Sequence, residues 1–300
     1  MKNYFKTILL FLSFVLTYAL QITAQEPDSA SPLKPLVEAE RNFAKMAAAE
    51  GVRNAFVHNL ADKALMFRNG PINGKELWEK RKPAPFLLKW EPEFADIAAS
   101  GDFGFTTGPW EIQEYRPLTE SGGYGYFTSV WKKQTDGTWK VVLDIGTSNP
   151  KPAAYTYALQ YPPGADKVRS FTPVAKLDAV RDELIQRDAA LGRSTAASFS
   201  APSFFEVLSS DARLQRNEYL PTTHRDTIAA RLRGITAWES QPIGGDVAAS
   251  GDLGYTYGTY AIRRGETSEK GYYVRFWKRN EKNQWKITLD LTDPSPEVKK

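Results

Sequence analysis

Along residues 36–50 the apolar side chains Leu36, Val37, Phe43 and Met46 recur at helical spacing with charges between them, and Gly51 ends the run. A second helical stretch is predicted around Ala55 to Leu60 and a third, short helix from Gly74 to Arg81. The pattern then turns to alternation. Glu93 to Ala99 and Phe103 to Gln113 flank a tight turn at Gly101-Asp102, and Tyr124 to Gln134 and Trp139 to Ile145 flank another at Asp136-Gly137. Both pairs predict antiparallel hairpins, so this stretch reads as helices followed by a meander, an α+β arrangement.

The whole pattern occurs twice. AASGDFGFTTG at Ala98 to Gly108 returns as AASGDLGYTYG at Ala248 to Gly258, displaced by 150 residues. VWKKQTDGTWKVVLDIG from Val130 returns as FWKRNEKNQWKITLDLT from Phe276 at a displacement of 146, which matches Trp131, Trp139 and Asp144 with Trp277, Trp285 and Asp290. Upstream, a displacement of 148 joins Leu36 to Leu184, Phe56 to Phe204, Arg68-Asn69 to Arg216-Asn217 and Trp90-Glu91 to Trp238-Glu239. The reading is a first domain over 36–150, a proline- and tyrosine-rich linker over 151–173, and a second domain over 174–296.

Strand parity adds an expectation about assembly. Tyr126 and Val130 share one face of their strand and Phe127 and Trp131 the other, and Tyr272, Phe276, Tyr273 and Trp277 repeat this. Neither face suits water. With helices covering one face, the other is expected to meet the sheet of the second unit, as an internal pseudo-dimer. The same parity sets Asp144 with Lys140 and Val142, opposite Trp139, Val141 and Leu143, which favours a structural hydrogen bond on the sheet's other face.

The first residues differ from the rest. Lys2 and Lys6 precede an apolar run from Thr7 to Leu20, followed by Ala24 and polar Gln25-Glu26-Pro27, the layout of an export leader over 1–24. Its apolar part falls short of the roughly 20 residues that span a bilayer. No later run is apolar enough for a membrane, so an exported, periplasmic or secreted protein is expected. Cysteine is absent, which removes disulfides and thiolate metal sites. The formal charge of +4 falls to +2 once Lys2 and Lys6 leave with the leader, and it has no long basic block, which argues against a nucleic-acid partner. Lys80 to Lys82 reads as the solvated end of a helix.

The segments ERNFAKMAAAEG, WEPEFADIAASGDFGFTTGPWE and VWKKQTDGTWKVVLDIG together resemble the SnoaL-like, domain-of-unknown-function 4440 branch of the nuclear transport factor 2-like superfamily. The resemblance runs nearly the length of the first copy and is clear in the second from Trp238 onward. It implies two tandem cone-shaped α+β barrels, each with helices leaning on a curved antiparallel sheet around a pocket. It does not imply one activity, because the superfamily holds isomerases, cyclases, dehydratases, hydrolases and non-catalytic association modules.

Candidate chemistry is sparse. Asp144 ends the last strand and His58 lies between Phe56 and Leu60, so either is a candidate acid or base; Glu91 is a third. Trp78, Trp90, Trp110 and Tyr126 in the first copy, and Trp238, Glu239, Tyr260 and Asp290 in the second, are candidate ligand contacts. Asp102 and Asp252 belong to tight turns, and the placement of the recurring Asp96 and Asp246 is open. There is no metal-ligand spacing, nucleophile motif or phosphate loop, and no cofactor is expected. The leading expectation is a small-molecule-binding protein. The rival is an isomerase- or cyclase-type enzyme using Asp144, His58 or Glu91, and a third possibility is an association module with filled cores.

Overall fold

The computed structural model describes residues 26–83, 86–114, 122–154 and 158–295; the predicted leader lies outside them. The first helix, α1 (Leu33–Glu50), buries Leu36, Val37, Glu40, Phe43 and Ala47 along one stripe and stops at Gly51, whose positive φ of 87° suits glycine. There follow α2 (Val52–Asn59), β1 (Leu60–Phe67), β2 (Pro71–Asn73) and α3 (Gly74–Glu79), the last capped by the Asn73 side chain accepting from the Glu76 N–H. Strands β3 (Phe86–Trp90), β4 (Phe94–Ile97), β5 (Phe103–Glu114), β6 (Tyr124–Lys133) and β7 (Trp139–Ser148) complete the first half.

The second half has the same order in simpler form. It runs α4 (Leu177–Ala197), α5 (Ala201–Val207), β8 (Leu208–Arg216), α6 (Arg225–Leu232), β9 (Ala237–Val247), β10 (Leu253–Arg264), β11 (Thr267–Arg279) and β12 (Trp285–Pro294). The first sheet is ordered β2-β1-β7-β6-β5-β3 with β4 also on β5, and the second β8-β12-β11-β10-β9. The fold is mixed α+β. Among the described residues each sheet keeps two free edges and does not close into a barrel; the helices lie over one face instead. Strands β1 and β8 were not apparent from alternation, because their burial is irregular and each joins its neighbour in parallel with a register shift. No helix among the described residues is long and apolar enough to cross a membrane.

Three cores result. Helix-side cores gather around Phe43, Phe56 and Trp131 in one half and around Phe204, Trp238 and Trp277 in the other. A middle core places Phe103, Phe105, Val130 and Leu143 against Tyr255, Val274, Phe276 and Leu289, with the Phe105 and Phe276 rings 4.1 Å apart. Polar contacts frame it in matched pairs. Lys132 Nζ reaches Asp246 at 2.6 Å and Lys278 Nζ reaches Asp96 at 2.6 Å, while the Ser100 and Ser250 hydroxyls meet at 3.0 Å. The recurring aspartates therefore serve the seam between the sheets; Asp252 accepts from the Ala99 N–H there at 3.1 Å. Residues 158–173 bury Leu159 and Ala165 in the first helix-side core and send Arg169 to the Ile97 carbonyl and to Asp252 at the seam.

Matching bulges correct the parity reading of Asp144. Val130 pairs with Leu143 but Trp131 pairs with Val141, so Val142 is an extra residue, and Thr288 is extra in the same place in the second half. Val141 accordingly packs under the helices while Leu143 enters the middle core. The bulge turns Asp144 to the helix side, where the cavity lies.

Candidate functional site

A cavity of about 380 Å³ opens between α1, α2, α3 and the first sheet. Its walls are Phe43, Phe56, Trp78, Trp90, Trp110, Phe127 and neighbouring aliphatic groups, with Phe56 and Trp78 stacked at 4.4 Å and Phe43 edge-on to Trp90 at 4.9 Å. Asn217 and Asp293 from the second half reach its rim, where the Asn217 side chain accepts from the Ser148 N–H at 2.8 Å. Size and lining fit a small, flat organic molecule.

Two carboxyl groups face this apolar space. Glu40, fully buried on α1, accepts from Thr106 Oγ1 at 2.6 Å, Trp131 Nε1 at 2.7 Å and Trp90 Nε1 at 2.6 Å. Burial outweighs these donors and lifts its pKa to about 7. With both oxygens engaged, Glu40 orients the two indoles. Asp144 is half-buried and borders the cavity, and it accepts from Ser129 Oγ at 2.9 Å. Burial raises its pKa to about 6, against the Ser129 hydrogen bond and the nearby Arg68 charge. Its Oδ1 has no hydrogen-bond partner among the described residues. Asp144 thus presents a carboxyl group with a free oxygen that titrates near neutrality.

The other candidates are placed as follows. Trp78, Trp90 and Trp110 line the cavity with Asp144. His58 is exposed on α2 and does not border it. Glu91 lies in an outer groove, paired with Arg41 at 2.6 Å, and Tyr126 is on the opposite face of β6, donating to Glu93 at 3.0 Å. Three candidate acid–base groups therefore do not converge; Asp144 meets Glu40 instead. Glu40 was missed although an acid within the apolar stripe of α1, matched by Asp188 at the displacement of 148, was a readable signal.

In the second half the corresponding space is filled. Arg275, which stands where the first half has Ser129, is buried with Nη1 2.6 Å from Asp188 and Nε 2.8 Å from Asp290. Tyr273 donates to Asp188 at 2.6 Å, and Arg216 pairs with Asp290. Although burial pushes Asp290 upward, the two guanidinium groups prevail and hold it below the usual carboxylate range. Asp290 is thus saturated by ion pairs rather than open to a ligand. Glu239 is exposed, and the buried Tyr260 donates to Glu269 at 2.7 Å; both border a shallow outer groove. Trp238 borders a separate cavity of about 840 Å³. No group of three potential metal-ligating side chains occurs among the described residues.

No family model matches this chain, and no curated protein is similar to it. Among solved structures it is similar to a nuclear transport factor 2-like protein of unknown function from Shewanella oneidensis MR-1, at 18% identity over 38% of this chain and 98% of that one, with a TM-score of 0.32. It is also similar to nuclear transport factor 2 from Cryptosporidium parvum, at 12% identity over 42% of this chain and 100% of that one, TM-score 0.32. A third is a proposed ketosteroid isomerase from Shewanella frigidimarina NCIMB 400, at 15% identity over 39% of this chain and 95% of that one, TM-score 0.31. Each of these neighbours corresponds to about two-fifths of this chain.

Proposed function

We propose that this is an exported protein of two duplicated SnoaL-like units, paired through their sheets, whose first unit binds a small amphipathic molecule with a flat apolar body and a hydrogen-bond-donating end. The observation that carries this reading is the free oxygen of Asp144 at the aromatic wall of the cavity, whose lining also includes Arg68 and Arg81. A donor placed there satisfies a carboxyl group that the protein leaves half-partnered, whereas an anionic end placed against Asp144 is repelled by it. Titration calorimetry of the mature chain with 2-naphthol, naphthalene and 2-naphthoate tests this. The expected order is 2-naphthol tightest and 2-naphthoate weakest. Asp144→Asn weakens 2-naphthol by about tenfold, the scale of a hydrogen bond to a charged group, and Ser129→Arg abolishes binding by filling the cavity. Absence of binding by all three probes, or 2-naphthoate binding best, overturns the reading.

A second reading, proton transfer, is favoured by the pKa of Asp144 near 6, which suits a general base close to neutrality. It is checked by following deuterium exchange α to the carbonyl of 2-tetralone by proton NMR, with Asp144→Asn as the control. Exchange no faster than in buffer removes this reading and leaves binding.

A further inference from the structure

The second half contains a cavity unlike the first. It measures about 840 Å³ and lies between α6, β8 and the ends of β9, β10 and β12. Leu214, Leu232, Ile235 and Ile262 form apolar walls. Three arginines also border it, in different states. Arg216 is committed to Asp290, but among the described residues neither Arg231 nor Arg264 has a carboxylate within ion-pairing distance. Arg264 donates Nη1 to the Arg231 and Arg233 carbonyls at the end of α6, which fixes it over the cavity.

Arg231 sends Nη2 to the Leu220 carbonyl at 2.8 Å and lies over the Tyr219 ring, yet its Nη1 is buried with no partner. Trp238, 1% exposed, likewise has a buried Nε1 without a partner. Its counterpart Trp90 donates to Glu40, but here the acid is the shorter Asp188, already engaged by Arg275 and Tyr273. Two side chains bordering one cavity thus each hold a buried donor without an acceptor, one of them cationic, a costly arrangement that an anion reaching them relieves. The only carboxylates along the wall, Glu218 and Glu269, are exposed, and Glu269 is engaged by Tyr260. Tyr219 and Leu220, 52% and 41% exposed, extend apolar surface beside the cavity.

We infer that this cavity is a second binding site, specific for an amphipathic anion whose charged head meets Arg231 and the Trp238 N–H and whose apolar tail lies against Leu214, Leu232, Ile235 and Ile262. The two halves then take opposite ligands: the first a neutral donor, the second an anion. The guanidinium fork suits a planar carboxylate, and the apolar walls demand more than a bare ion.

Titration calorimetry of the full mature chain with octanoate, octan-1-ol, octylammonium and inorganic phosphate tests the inference. With the first cavity filled by Ser129→Arg, octanoate is expected to bind at least about tenfold more tightly than the other three, the scale of one charge-assisted hydrogen bond. Arg231→Gln is expected to remove that preference while octan-1-ol is unaffected, and Trp238→Phe, which keeps the ring and removes only the donor, to weaken octanoate by about fivefold. Ser129→Arg, which fills the other cavity, leaves octanoate binding intact. The inference is overturned if octan-1-ol or phosphate binds the Ser129→Arg chain as tightly as octanoate does, if Trp238→Phe and Arg231→Gln both leave octanoate unmoved, or if Ser129→Arg abolishes octanoate binding.

Discussion

The interiors of the two halves differ at one position more than at any other. In the first, Ser129 donates to Asp144, and both border an aromatic cavity with Glu40, the two carboxyl groups being driven toward neutrality by burial. In the second, Arg275 occupies that place, joins Asp188 to Asp290 and leaves no comparable opening between them. The pair of acids is kept while its partner changes. One scaffold thereby holds a carboxyl pair either as hydrogen-bonded groups without a cation, bordering a cavity, or as the fixed ends of an ion-pair network. The choice follows from whether a cation is supplied from the neighbouring strand.

The sharpest way to break the comparison is Arg275→Ser, which gives the second half the first half's residue. It leaves Asp188 with the Tyr273 hydroxyl but no cation, and Asp290 with Arg216 alone, and a loss of about 3–5 kcal/mol is expected in urea unfolding. A loss below about 1 kcal/mol would mean that Arg275 merely fills space.

The acidity of the two interiors gives the next effect, with opposite signs. Glu40 has a folded pKa of about 7 against an ordinary 4.5, so the folded chain holds its proton more tightly than the unfolded chain. That stabilisation is complete below pH 4.5 and is lost as pH rises through 7, an expected fall of about 3 kcal/mol. Asp144 contributes with the same sign between 3.8 and about 6. Asp290, held below 3.8, behaves the other way: its stabilisation is present above that value and lost as pH falls through its folded pKa. Unfolding free energies of the wild type and Glu40→Gln between pH 4 and 8 check this, since the variant should lose most of the decline toward pH 8.

The smallest expected effect sharpens the comparison at the seam, where the halves exchange matching ion pairs. Asp96 is fully buried under Lys278, whereas Asp246 and Lys132 are both about a third exposed. Lys278→Met is expected to cost about 2 kcal/mol because it leaves a buried acid without its cation, and Lys132→Met less than about 1 kcal/mol. Equal costs in thermal or urea unfolding would show that the two contacts are energetically equivalent despite their burial.

Much of this was legible beforehand in particular places. The turns at Gly101 and Gly251, both with φ of 66°, and the strands beside them were readable because a positive φ and a two-residue alternation are local backbone constraints. The aromatic character of both faces of β6 and β11 pointed to sheets without a wet face, and the middle core occupies the face that helices leave free. The candidate site was readable only in part. Trp78, Trp90, Trp110 and Asp144 do meet in one cavity, but His58, Glu91 and Tyr126 lie elsewhere.

What the sequence determined by itself was the repeated order of helices and meander, because periodicity and turn chemistry act between residues a few positions apart. Tertiary structure alone decided which side Asp144 faces, because one extra residue at Val142 reverses the alternation. It alone brought Glu40, Trp90, Thr106 and Trp131 together from four separate elements and raised the pKa of a carboxyl group by removing water from it. Whether an aspartate is a poised acid or half of an ion pair depends on what stands within a few ångströms of it after folding. The strand partner that makes that difference, Ser129 or Arg275, lies fifteen residues away in the chain.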